Sequence, residues 1–382
     1  TSFISMISLN AEPEESILFK AKRDQFASEI RKKKNDDILN SKRIKFSLKE
    51  KNDLQLKLAE SKWVSLLLTN ATIDEQTTIE AEHFLKLAND FEIAIFESNV
   101  DKLEKALKEI RLAVSCTDSP RIDLLCQTNI LPKIAQFLKK EHFNYTNVQN
   151  EATWIIANVV SSDAKFTKYV VEELDGINCM LTLLDSPSSN VKATDIYLGK
   201  DIDINEYDFT HIAVWAIGNI TGEHSAPYSE KFLRNGLLSK LIDIVEDESL
   251  DFSIVKTTVW VFSNLAKAAT EFELVLFHTP SPQHLSSMIF LIAPVIPVLE
   301  NLIASNDEDL LSDILWTLEE LSSHGEGPIF LIMKMDCLKT FVNLAKCKGE
   351  GCQRLRTPAL RLLGNCIASN KDAHSLVCIL PI

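Results

Sequence analysis

A segment with two marked positions four residues apart recurs along this chain and constrains its fold more than any other feature. Trp and Asn occupy these positions in EATWIIANVV (151–160), HIAVWAIGNI (211–220) and VKTTVWVFSNL (255–265). Two weaker copies follow, SDILWTLEEL (312–321) and TPALRLLGNC (357–366). The copies are 61, 45, 56 and 45 residues apart. Two of these intervals match the roughly 40–47 residues of stacked helical repeats, and the two others are longer.

A second apolar segment accompanies each copy and predicts a second helix in every repeat. These segments are ILPKIAQFL (130–138), INCMLTLL (177–184), LLSKLIDIV (237–245), APVIPVLENLI (293–303) and CLKTFVNLA (337–345). Apolar residues at i, i+3, i+4 and i+7 favour an all-α chain. Such units bury their apolar faces only against neighbours and stack into a superhelix with a concave groove. The two longer intervals predict surface loops at about 186–208 and 274–287.

Charge is divided unevenly along the chain. Residues 19–51 contain twelve Lys/Arg and five Asp/Glu, a net charge of +7, so that −21 remains for the rest of a chain with net charge −14. A basic face is needed to bind nucleic acid or anionic lipid, so the acidic body argues against both as main partners. It favours cationic partners instead.

The same residues weigh against a metal site, a membrane span and catalysis. The eight cysteines show no CxxC and no paired metal-ligand spacing, which predicts free thiols. The longest apolar run, 288–299, contains two prolines and is far shorter than the roughly 20 residues of a spanning helix. No phosphate-binding loop, nucleophile elbow or kinase signature is present. We predict neither enzyme activity nor a cofactor.

The Trp and Asn of each pair lie on one side of their helix, so that stacked repeats place the pairs in two parallel rows. An Asn amide can bond the backbone of an extended peptide, and indole faces attract the stems and charges of lysines. One buried Trp with Asn at i+4 is more often ordinary core packing. Three consecutive repeats with the same pair favour peptide binding, because packing alone requires neither residue each time.

These segments resemble the importin-alpha family of armadillo-repeat proteins. KALKEIRLAVS (105–115), the copies above, AVWAIGNITGE and RTPALRLLGN follow that family's repeats in order, including Arg361 in place of Trp. The resemblance implies a right-handed superhelical armadillo solenoid at 91–382, with about five to six repeats, and a groove for nuclear localisation signals. The implied peptide-binding residues are Trp154, Asn158, Ser162, Thr167, Trp215, Asn219, Glu223, Trp260, Asn264, Asp313, Trp316, Arg361 and Asn365. Ser162, Glu223 and Glu320 replace the Gly, Asp and Tyr usual in the family.

The basic segment at 15–52 resembles that family's importin-beta-binding region, above all in EIRKKKNDDILNSKR (29–43). The carrier-binding and autoinhibitory residues implied by the resemblance are Arg31, Lys32, Lys33, Lys34, Lys42 and Arg43. Taken alone, such a run is more often a solvated tail or a nucleic-acid arm. Residues 53–90 are predicted to be a partly helical linker.

The resemblance implies a nuclear-import adaptor that shuttles between cytoplasm and nucleus and links lysine-rich cargo signals to importin-beta. An armadillo scaffold held permanently in one assembly is the alternative. Both predicted insertions and Glu320 favour some divergence from the family.

Overall fold

A computed structural model describes residues 73–115, 121–142, 144–185, 209–222, 226–276, 288–323, 326–347, 349 and 352–369. Within these ranges every regular element is a helix. The ranges belong to one packed unit, Ala71–Ile382; the other unit, Thr1–Asn70, lies outside the described residues. The predicted all-α class is therefore confirmed for the described ranges.

Two helices, α1 (Ile73–Phe96) and α2 (Val100–Ser115), precede five units of three helices each. The first helices of the units are α3 (Ile122–Gln127), α6 (Ala164–Glu173), α9 (Ala226–Arg234), α12 (Met288–Ile292) and α15 (Glu326–Met333). The second helices are α4 (Leu131–Gln136), α7 (Gly176–Leu183), α10 (Leu237–Glu246), α13 (Val295–Leu302) and α16 (Leu338–Lys346). The third helices are α5 (Thr146–Val160), α8 (Phe209–Gly222), α11 (Phe252–Leu276), α14 (Glu308–Ser322) and α17 (Gln353–Ser369). A 3-10 turn, Lys140–His142, follows α4.

A left-handed residue separates the first and second helices in three of the units. Asn129, Asp175 and Gly236 have φ of 57°, 56° and 83°. One residue of this conformation ends a helix and turns the chain sharply, and Gly, Asn and Asp adopt it most readily. The turn folds each second helix back beside its first helix.

The third helices form the row that positions the candidate site. Together with α2 they pack one against the next, in the order α2, α5, α8, α11, α14 and α17. The first and second helices pack around that row. Fully buried apolar side chains such as Ile155, Ile217, Phe262 and Leu318 fill the interfaces. Burial between neighbours therefore holds the array together, as the repeat pattern predicts.

Two described helices can be compared with the predicted boundaries. The loop predicted from about residue 274 begins later, because α11 runs to Leu276. Helix α1 crosses the boundary predicted at residue 90 and packs on α2 and α3. The remainder of that loop and the insertion at 186–208 lie outside the described residues.

One cysteine prediction was wrong. Cys347 and Cys352 form a disulfide bond between α16 and α17, with Cα atoms 5.7 Å apart. Four other cysteines in the described ranges, at positions 126, 179, 337 and 366, are free. The short loop places two thiols within bonding distance, although their spacing matches no metal motif.

None of the described helices combines the length and the apolar character that crossing a membrane would require.

Candidate peptide-binding ladder

The marked positions form a ladder across α2 and the five third helices. Each of these six helices carries one pair of marked positions, called a rung. Its rungs, from α2 to α17, are Arg111/Ser115, Trp154/Asn158, Trp215/Asn219, Trp260/Asn264, Trp316/Glu320 and Arg361/Asn365. The rung on α2 was not predicted from the sequence. It stands 43 residues before Trp154/Asn158, so the repeat spacing would have found it without a Trp to mark it.

The tryptophan side chains contact the neighbouring third helices and do not project freely into solvent. The ring centroids of Trp154 and Trp215 are 6.2 Å apart and the rings meet edge-on at 61°. The six-membered ring of Trp260 lies directly over the backbone of Gly218, where an added Cβ would come within 2.0 Å of Cζ3. Trp215 is only 2% exposed and Trp260 3%, whereas Trp154 and Trp316 are half-buried.

The asparagine amides tie each third helix to the helix before it. Nδ2 of Asn158 donates to the Ser115 hydroxyl at 2.8 Å. Nδ2 of Asn264 donates to the Gly218 carbonyl at 3.0 Å. Nδ2 of Asn365 donates to the Ser322 hydroxyl at 2.9 Å and to the Glu319 carbonyl at 3.3 Å. The array itself therefore uses part of the donor capacity that the sequence assigned to a peptide.

Asn219 departs from this arrangement. Its side chain is 1% exposed, and neither Nδ2 nor Oδ1 has a hydrogen-bond partner in the described part of the chain. Oδ1 of Asn158, on the preceding rung, also lacks one. A buried amide without partners is destabilising by about 1–3 kcal/mol. Such exceptions are rare in native structures, and a bound water, a ligand or a functional role accounts for them.

Both ends of the ladder hold an arginine that the array itself neutralises. Nε of Arg111 is 2.5 Å from a carboxylate oxygen of Glu151, and both side chains are largely buried. At the other end the Arg361 guanidinium lies 5.5 Å from the Trp316 ring centroid, within cation–π range. Its Nη2 is 2.7 Å from Oε1 of Glu319. Arg361 thus lies over the Trp316 face that the sequence assigned to a peptide side chain.

The fifth rung carries carboxylates in place of the amide. Glu320 is buried, and its Oε2 accepts a hydrogen bond of 3.0 Å from the hydroxyl of Thr270. Thr270 belongs to the C-terminal extension of α11, beyond the Asn264 rung. Asp313, one turn before Trp316 on α14, is half-buried. The long α11 thus supplies the partner that holds Glu320 in place.

The remaining predicted site residues lie beyond the end of α5 or outside the described ranges. Ser162 is exposed, and its hydroxyl donates to the Val159 carbonyl at 2.8 Å. Thr167 is buried, and its hydroxyl donates to the Val160 carbonyl at 3.0 Å. Both hydroxyl oxygens keep the capacity to accept a bond. Glu223 lies outside the described residues.

Sequence reasoning also missed Gly218, Glu319 and Thr270. Gly218 and Glu319 occupy the same place, three residues after the Trp of their rung, where a side chain faces the next third helix. Only an alignment of the repeats with one another could have identified that position from the sequence. Among the described residues no group of three or more His, Cys, Asp or Glu could hold a metal ion.

Comparison with known proteins gives the same fold and one set of relatives. No family model matches the chain. Importin subunit alpha-1b of Oryza sativa subsp. japonica is 26% identical over 285 residues, covering 73% of this chain and 46% of the relative. Importin subunit alpha-3 of Arabidopsis thaliana is 24% identical over 364 residues, covering 93% and 60%. The chain spans about half the length of the curated relatives it matches.

Designed armadillo repeat proteins are similar in structure. One aligns with a TM-score of 0.55 at 16% identity, over 74% of this chain and 98% of its own. Another, solved in complex with the peptide (KR)4, aligns with a TM-score of 0.51 at 19% identity, over 73% and 98%. The fold is therefore an armadillo-repeat solenoid, and the resemblance to importin alpha subunits extends along most of the chain.

Proposed function

We propose that this chain is a nuclear-import adaptor that binds lysine-rich localisation signals along the ladder and works between cytoplasm and nucleus. The similarity to importin alpha subunits supports the proposal, and so does the designed relative whose structure contains (KR)4. An acidic body of net charge −21 would attract such peptides. No catalytic role is part of the proposal.

The observation that carries the proposal is the buried, unpartnered amide of Asn219. The backbone of an extended peptide offers one N–H and one C=O per residue, the two groups that a primary amide can pair with. Asn158 contributes a second free acceptor, one rung away. A peptide running across these rungs would satisfy three buried atoms and place its side chains between the indoles of Trp154, Trp215 and Trp260.

The middle of the ladder is covered in this structure, since Trp215 and Asn219 are almost fully buried. A peptide therefore reaches these rungs only after a rearrangement that exposes them. The half-buried Trp154 is accessible before that rearrangement and would make the first contact.

Replacing Asn219 with Leu should separate stability from binding. The variant removes two buried atoms without partners and keeps a similar volume, so the free energy of unfolding should stay unchanged or rise by about 1 kcal/mol. Affinity for a fluorescent lysine-rich peptide should fall about tenfold, because two hydrogen bonds to its backbone are lost. Urea unfolding and fluorescence anisotropy at fixed ionic strength measure the two quantities.

Asn264→Leu is the matched control. Its amide donates to the Gly218 carbonyl, so this substitution should lower the free energy of unfolding by about 1–2 kcal/mol. If Asn219→Leu destabilises the array as much as Asn264→Leu and leaves peptide affinity unchanged, Asn219 is a core residue and the proposed site is wrong.

The basic segment at 15–52 supplies the second half of the proposal, although it lies outside the described residues. We infer that Arg31, Lys32, Lys33 and Lys34 bind importin-beta, and that Lys42 and Arg43 occupy the ladder when no carrier is bound. A tethered arm acts at an effective concentration of about millimolar, so it competes well with free peptide.

If the chain's own basic segment occupies the ladder, binding of the carrier and binding of the cargo should strengthen each other. In the parent chain, importin-beta should strengthen binding of a lysine-rich peptide. In Lys42→Ala/Arg43→Ala, peptide binding should be tight already and insensitive to importin-beta. Anisotropy titrations with and without saturating importin-beta measure both affinities. Equal affinities in all four titrations would contradict self-occupancy.

A permanent scaffold would behave differently. An armadillo scaffold held in one assembly should not release its partner when free lysine-rich peptide is added, whereas an adaptor should. Competition by that peptide against a bound cargo distinguishes the two functions.

A further inference from the structure

The loop between α16 and α17 joins two cysteines that have no part in the ladder. Cys347 follows the last residue of α16 and Cys352 immediately precedes α17, in the sequence CKGEGC. Their Cα atoms are 5.7 Å apart, within the usual range for a disulfide. Both residues are half-buried, and Gly349 between them is exposed with φ of 141°. Both cysteine residues are therefore partly exposed to solvent.

The free cysteines of the described ranges ionise less readily than an ordinary thiol. Burial raises the pKa of each of the thiols of Cys126, Cys179, Cys337 and Cys366 to about 11. At neutral pH about one in ten thousand of such thiols is ionised, and only the thiolate exchanges with disulfides. The loop thus holds the one cysteine pair bonded in the described ranges, whereas the four other described thiols are free and mostly protonated at neutral pH.

The bond fastens the end of α16 to the first turn of α17. The Cys352 carbonyl accepts from the backbone N–H groups of Leu355 and Arg356, at 3.2 and 2.9 Å. The Arg356 guanidinium also reaches the Cys347 carbonyl, at 3.4 Å. Helix α17 carries the Arg361/Asn365 rung two turns further on. The oxidation state of the pair therefore acts on the helix that ends the described ladder.

We propose that Cys347 and Cys352 are a reversible modification site, which a low-molecular-weight disulfide such as oxidised glutathione converts from dithiol to disulfide. One cysteine thiolate attacks the glutathione disulfide, forms a mixed disulfide and releases one glutathione thiolate. The second cysteine thiolate attacks the mixed disulfide, forms the Cys347–Cys352 bond and releases the second. Two electrons pass to glutathione, and the two cysteine protons go to solvent or to the released thiolates.

Oxidation should restrain α16 and α17 relative to each other. Closing a loop of six residues should lower the unfolding equilibrium constant of this part of the array roughly 40-fold. The reduced form should exchange its amide hydrogens faster in the first turn of α17. Neither cysteine belongs to a rung, so this proposal can be tested without assuming peptide binding.

To test the proposal, the chain is equilibrated in buffers with graded ratios of oxidised to reduced glutathione. It is then acid-quenched, alkylated and mapped by mass spectrometry. We expect Cys347 and Cys352 to lose alkylation together as the oxidised fraction rises, and hydrogen exchange in α17 to slow in step. Cys347→Ser/Cys352→Ser should show the exchange of the reduced form at every ratio, whereas Cys337→Ser should respond like the parent. Continued alkylation of the pair in oxidised glutathione, pairing with another cysteine, or unchanged exchange in α17 would overturn the proposal.

Discussion

Replacing Arg361 with Ala should destabilise the last described repeat by about 3–5 kcal/mol, because it removes a cation paired with a buried carboxylate. The Glu319 side chain is 2% exposed, and the Arg361 side chain that neutralises it is 20% exposed. The substitution also removes the guanidinium from the face of Trp316. Hydrogen exchange in α14 and α17 measures the loss locally, which matters because repeats can unfold in parts.

Arg354→Ala is the matched control on the same helix. Arg354 pairs with Asp309 of α14 at 2.7 Å, the distance found for Arg361 and Glu319, but its side chain is 46% exposed and that of Asp309 31%. Exposed ion pairs contribute about 0–1 kcal/mol, so this variant should remain close to the parent. The double variant Arg361→Met/Glu319→Leu should recover most of the stability, since it removes both buried charges.

Equal losses for Arg361→Ala and Arg354→Ala would show that burial does not govern the Arg361 pair. A double variant no more stable than Arg361→Ala would show that the loss comes from Trp316 packing instead. The comparison thus separates the ion pair from the cation–π contact.

Much of the ladder could be predicted from the sequence, because the repeat length sets the spacing of its rungs. Trp154, Trp215, Trp260 and Trp316 all lie on third helices, and their order follows from the chain order of the units. The partners of the Asn amides could not be predicted in this way. Those partners lie 43 to 46 residues away across a helix interface, and the sequence does not show which atoms face each other there.

The end of α11 shows a different limit. The prolines at 280 and 282 marked a loop, and the longer repeat interval suggested that it begins near 274. Residues 266–276 are mostly good helix formers and contain neither Gly nor Pro, so nothing in them ends the helix earlier. The part of α11 beyond the Asn264 rung holds Thr270, whose hydroxyl donates to Glu320. Local sequence signals therefore did not give the length of α11.

The ladder also combines two roles that the sequence presented as alternatives. Asn264 and Asn365 bind neighbouring helices, as core packing predicts, while Asn219 and one atom of Asn158 lack partners among the described residues. A repeat can conserve one residue type for packing in most units and leave its polar atoms available in a few. Peptide binding is therefore expected to concentrate at the rungs on α5 and α8.

Gly218→Ala should destabilise the array by about 2 kcal/mol, although alanine favours helices. A Cβ at this position would lie 2.0 Å from Cζ3 of Trp260 and 2.7 Å from two further ring atoms. Trp260 is 3% exposed and has little room to move. Overpacking of this kind is destabilising by up to about 3 kcal/mol, and the higher helix propensity of alanine offsets about 1 kcal/mol of that. Urea unfolding followed by tryptophan fluorescence reports both the stability and the displaced ring.

Gly364→Ala is the control at the equivalent place, three residues after Arg361 on the last described helix. A Cβ there meets nothing within 4 Å, so only helix propensity acts and the variant should gain about 0.5–1 kcal/mol. The two substitutions are chemically identical and share one register position, and they differ in whether an indole lies above the glycine. If both stabilise the chain, Trp260 does not pack on Gly218 in solution, and the close approach of α8 and α11 that shapes the middle of the ladder is wrong.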